Sequence, residues 1–109
     1  MPQVKEFLES FGLTENQKIA GFTITSVTSS HESIKRYYEY YYKIQLEFSG
    51  AGDPKELLQF LMNLSAQEHV VYGIKNPYLC TIDKLTPENF QKERGGYQVR
   101  LYGHAVRTG

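Results

Sequence analysis

The side chains able to do chemistry in this sequence are few and scattered. Its three histidines, His31, His69 and His104, have no carboxylate or second histidine two or four residues downstream, the spacing that would put two ligands on one face of a strand or helix. They fall in a loop, at a strand start and at a strand end, where surface histidines are ordinary. No Ser, Thr or Cys stands in a nucleophile-elbow motif, and the carboxylates lie scattered along polar faces. Gly50-Ala51-Gly52-Asp53-Pro54 joins a strand to a helix but lacks the third glycine and the lysine of a phosphate cradle. Asp53 would also set a negative charge where an anion would have to bind. That stretch reads as a turn followed by a helix cap.

One cysteine, Cys80, excludes an internal disulfide and any CxxC pair. Set between Leu79 and Ile82, it reads as a small buried residue rather than a reactive thiol. No catalytic residue, metal or cofactor is expected, so the weight falls on surface contacts. The unusual feature there is the run Tyr37, Tyr38, Tyr40, Tyr41, Tyr42, which holds five of the nine tyrosines. Alternation sends Tyr38, Tyr40 and Tyr42 to a packed face and Tyr37 and Tyr41 to the other. Tyrosine offers a large contact area at low entropic cost. Tyr37, Tyr41, Lys43, Arg100 and Tyr102 are the candidate interface residues.

A chain of 109 residues with 40% hydrophobic side chains is one domain, residues 1–109, able to fold without disulfides. Twelve basic and twelve acidic residues cancel and are interspersed, so nucleic acid is not an expected partner. No stretch approaches the roughly 20 apolar residues of a membrane-spanning helix.

The elements that must position these residues follow from periodicity. Val4, Phe7, Leu8 and Phe11 make one helical face, closed by Gly12. Ile19 to Ser29 is a strand, Ser29 to Lys35 a polar loop, and Tyr38 to Phe48 a second strand of strict alternation. Asp53-Pro54-Lys55-Glu56 caps a second helix whose stripe Leu57, Leu58, Leu61, Leu64 runs to about Gln67. Val70, Val71, Tyr72 and Ile74 form a third strand, which Pro77 interrupts and Tyr78 to Ile82 resume as an edge. A long polar loop from Asp83 to Gly96, with one helical turn capped at Thr86-Pro87-Glu88, leads to a fourth strand at Tyr97, Val99 and Leu101. The expected fold is α+β, αββαββ, with two helices on one face of a four-stranded antiparallel sheet in the order three, four, two, one.

Three stretches resemble the periplasmic domain of the PilO and GspM proteins, inner-membrane assembly components of type IV pili and type II secretion systems. They are Ile44-Gln45-Leu46-Glu47-Phe48-Ser49-Gly50 with the leucine stripe after it, His69-Val70-Val71-Tyr72-Gly73-Ile74, and Tyr97-Gln98-Val99-Arg100-Leu101-Tyr102-Gly103. The resemblance implies a circularly permuted ferredoxin-like domain that works as a non-catalytic assembly module. Its implied partners are a second copy or a similar ferredoxin-like, PilN-type subunit. It also implies a membrane anchor upstream of this chain and a periplasmic location; without such an anchor the location would be cytoplasmic. The alternative is a stand-alone ferredoxin-like domain that binds a small ligand or regulates an enzyme, between loop 83–96 and the sheet. An enzyme on this scaffold would need His104, Tyr102 and a carboxylate such as Glu47 in one pocket.

Overall fold

The apolar spacing at the N-terminus folds as its period dictates. In the computed structural model, which describes residues 3–34, 38–73 and 76–108, α1 spans Val4–Phe11 and buries Phe7, Leu8 and Phe11. Gly12 N–H donates to Glu9 O and Leu13 N–H to Leu8 O, at 3.1 and 2.9 Å. These are the paired back-bonds that close a helix end. The second helix, α2, spans Pro54–Leu64 and buries Leu57, Leu61 and Leu64. The Asp53 carboxylate accepts from Lys55 N–H at 2.9 Å, so it serves as the cap and is not placed to receive an anion.

Among the described residues seven strands form one antiparallel sheet: β1 Lys18–Ile19, β2 Phe22–Ile34, β3 Glu39–Gly50, β4 Glu68–Tyr72, β5 Pro77–Ile82, β6 Phe90–Glu93 and β7 Gly96–Arg107. The order is β1-β2-β3-β7-β5-β4. One edge of β7 pairs with β3 throughout. The other is shared, with β6 along Gly96–Val99 and β5 along Gly103–Arg107. The sheet curls into a half-barrel with both short helices packed into its core.

This corrects the four-stranded ferredoxin-like expectation. Of the strands read from the sequence, β2 lies beside β3 and β3 beside β7, but the third, read at Val70 to Ile74, is β4 and is separated from β7 by β5, which is therefore no edge. Three features account for the change of architecture. Ser29 to Ile34 is no loop, because β2 runs on through it and pairs with β3 as far as Ile34 and Glu39. Pro77 does not interrupt one strand. It begins β5, which folds back antiparallel on β4 with Tyr72 opposite Pro77. Ile74 lies outside the described residues. The segment 83–96 is structured too, since Leu85 is buried, Pro87–Asn89 forms a single 3-10 turn and β6 follows. Asn89 Oδ1 accepts from both Thr86 N–H and Thr86 Oγ1, at 2.9 and 2.8 Å, tying that turn down.

The curl has identifiable causes. A register shift between Ile24 and Ser26 puts a bulge in β2, and bulges bend a strand and raise its twist. At ~3.3 Å per residue a strand of thirteen spans about 43 Å, the longest dimension of the molecule at 43 Å. So long a hairpin cannot stay flat over a small core. The concavity holds α1, which touches both β2 and β4. The Phe11 ring stacks on His69 of β4 at 4.0 Å, and Ser10 Oγ lies 2.6 Å from His69 Nδ1.

Two glycines make this packing possible. Gly103 on β7 faces Phe7, and a Cβ at 103 would overlap that ring. Gly52 lies against the turn between β1 and β2, where a Cβ would meet the carbonyl oxygen of Ala20. The glycine pair ahead of α2 thus serves a close backbone crossing.

Candidate functional site: the outer face of the sheet

Strand parity builds this face. The inner side chains of β3, namely Tyr42, Ile44, Leu46 and Phe48, are all buried, so Glu39, Tyr41, Lys43, Gln45 and Glu47 point outward. On β7 the inward set includes Val99, Leu101 and Ala105, leaving Gln98, Arg100, Tyr102, His104 and Val106 outside. On β2 the outward positions after the bulge are Ser26, Thr28, Ser30 and Glu32.

Strand pairing sets these into rows. Tyr41 lies between Glu32 and His104, Lys43 between Ser30 and Tyr102, Gln45 between Thr28 and Arg100, and Glu47 between Ser26 and Gln98. Four of the five candidates from the sequence, Tyr41, Lys43, Arg100 and Tyr102, are therefore brought together on adjacent strands. Tyr37 lies outside the described residues. Tyr41 and Tyr102 are each 38% exposed. Thr28, Ser30, Lys43, Gln45, Arg100 and Tyr102 line a shallow groove of about 290 Å³. Beyond Lys43 a second groove of about 310 Å³ runs between Tyr41, Ser30 and Glu32. Among the described residues neither Lys43 nor Arg100 is within ion-pair distance of a carboxylate.

At the hairpin end the face carries a cluster that strand period alone did not single out. The Tyr41 ring lies flat on the His104 imidazole, 4.6 Å between centroids and 7° between planes. Its hydroxyl donates to Glu39 Oε2 at 3.3 Å. Partial burial and then the Glu39 carboxylate hold the Tyr41 phenol above its ordinary pKa. His104 Nε2 is 3.8 Å from Glu39 Oε2 and makes no hydrogen bond among the described residues.

Glu39, not Glu47, is thus the carboxylate at His104. Glu47 sits six residues along β3 from Tyr41, about 20 Å away, so the His104, Tyr102 and Glu47 pocket does not form. His104 was findable, since it shares parity with Arg100 and Tyr102. His31 lies within β2 rather than a loop, and its ring approaches Tyr42 at 6.4 Å on the inner side. Cys80 is fully buried, and burial pushes its thiol up to about 11, away from the reactive thiolate. Among the described residues no group of His, Cys, Asp and Glu could hold a metal.

A second exposed feature lies at the β4 edge. Val70 and Tyr72 are 60% and 69% exposed, with Leu79 and Val106 beside Val70 in register. Among the described residues no helix is long and apolar enough to cross a membrane. Comparisons with protein-family models, curated proteins and solved structures find no match to this chain.

Proposed function

We propose that this chain is a non-catalytic binding and assembly module that engages a partner protein through the outer face of its curled sheet. The observation that carries this reading is the grouping of Tyr41, Lys43, Tyr102 and Arg100 on two adjacent strands, with nothing folded over them among the described residues. Tyrosine and arginine are the residues that dominate contact energetics, and rigid strands hold them without the entropy cost of ordering a loop. The pilus and secretion role implied by the resemblance drew on a ferredoxin-like sheet. With that sheet replaced by a curled one, the assembly role rests on the open face instead, and a periplasmic placement rests on an upstream anchor. Photocrosslinking from position 102 in the native cells tests the reading. It predicts one protein adduct, lost when Lys43 and Arg100 are changed to glutamine.

The alternative, a small-ligand site, draws on the two grooves beside Lys43, and so moves from loop 83–96 to the sheet face. Amide chemical-shift changes at Lys43 and Arg100 across a metabolite panel would support it, and an unmoved spectrum would discard it.

A further inference from the structure

Resting on that docking reading, we infer that the partner segment is short and extended, with an acidic centre between basic flanks. The charge layout of the face specifies this. At its centre Lys43 and Arg100 lie on a diagonal, because Lys43 pairs with Tyr102 and Arg100 with Gln45, while Lys18 stands apart on β1, opposite Thr23 and beyond the Glu47 end. Diagonal neighbours in a sheet are about 7–8 Å apart. Two carboxylates at alternate positions of an extended strand are separated by ~6.6 Å, which matches that diagonal.

Carboxylates surround this pair. Glu47 lies four residues from Lys43 toward one end of β3, and Glu39 with its neighbour Glu32 toward the other, each end about 13 Å away. Across β7, Asp83 N–H donates to Tyr102 O at 2.8 Å, which sets the Asp83 carboxylate beside the Lys43 row. Glu68 lies beyond it on the outward face of β4. The described part of the face is therefore net negative with a positive centre.

A long polyanion such as a nucleic acid strand would meet this ring at both ends, and like charges placed face to face are strongly disfavoured. A segment of about eight residues, acidic in the middle and basic at either end, satisfies the centre and the ring together. Tyr41 and Tyr102 then flank the carboxylates and supply contact area. Lys43 and Arg100 are both exposed, so their burial by such a segment desolvates them only when charge-matched partners arrive.

A phage-displayed library of random octapeptides, panned against the intact chain, tests the inference. Enriched peptides should carry two carboxylates two residues apart near the centre and a lysine or arginine toward each end. A synthetic peptide of that consensus should bind the Lys43→Gln/Arg100→Gln variant at least tenfold more weakly. It should bind the Glu39→Gln/Glu47→Gln variant a fewfold more weakly. All four side chains are on the surface, and circular dichroism of each variant verifies the fold. If the enriched peptides depend on Tyr41 and Tyr102 but lack a central acid, the charge inference falls while the docking reading stands. Peptides indifferent to every outer-face substitution would overturn the inference, and crosslinking then judges the docking reading separately. Tighter binding of octathymidylate through Lys43 and Arg100 would overturn it in favour of nucleic acid.

Discussion

The ring of Phe7 occupies the space where any side chain at residue 103 would begin. Through this contact α1 sits down in the concavity of the sheet, with Phe7 also stacked on Tyr42 at 4.7 Å. Gly103→Ala should therefore cost about 1–3 kcal/mol, the usual range for forcing extra volume into a filled core. Phe7→Ala should cost about 3–5 kcal/mol by leaving a cavity. In urea denaturation the two changes combined should cost clearly less than their sum, because removing the ring removes the clash. Simple additivity would mean the overlap is relieved elsewhere.

Alkali should unfold this protein. Burial raises the Cys80 thiol from 9.0 to about 11 and pushes the Tyr42 phenol well above its ordinary value of 10.0. A raised folded-state pKa means that the native state holds its proton more tightly. The stability it represents is complete below the unfolded-state pKa and is lost as pH rises through the folded-state one. The melting temperature should thus hold level up to about pH 8 and fall steadily between about pH 9 and 11. A flat profile through that window would show that neither group is excluded from water.

The phenol of Tyr41 provides a local probe of the outer face. Desolvation and the Glu39 carboxylate both raise its pKa, so Glu39→Gln should lower it, and His104→Ala, which strips the stacked ring, should lower it too. Ultraviolet difference titration, with Tyr41→Phe identifying the signal, reads this directly. An upward movement in Glu39→Gln would contradict the contact.

How much of this was legible beforehand depended on how far each element's period was visible. The α1 and α2 stripes, the Asp53 cap and the alternation from Tyr40 to Phe48 are strong one-sided patterns and folded as read, although α2 stops at Leu64 short of Gln67 and Tyr38, expected on the packed face, is exposed ahead of β3. Ser29 to Ile34 was not legible as strand. Its outward residues Ser30 and Glu32 are polar because they face water, and His31 on the inner side lies too near the hairpin tip to need an aliphatic residue. Pro77 suggested an interruption, yet the first residue of a strand is one of the few places a sheet accepts proline. The β6 strand has only Phe90 packed against the core, which leaves no alternation to detect. Parity alone assigned Tyr41, Lys43, Arg100 and Tyr102 to one face. That Lys43 meets Tyr102 and Tyr41 meets His104 depends on register, which long-range pairing sets. Thr28 and Ser30 enter the site only because β2 extends alongside β3.

If the outer face, and not the helices, meets the partner, crosslinking from the two surfaces will differ. A benzophenone amino acid placed singly at positions 41, 43, 100 and 102, and as controls at the exposed α2 positions Phe60 and Met62, measures this in the native cells. Crosslinks from the four outer-face positions to one and the same protein, with none from 60 and 62, is the predicted pattern. Equal labelling from both sets, or adducts from α2 alone, would contradict it.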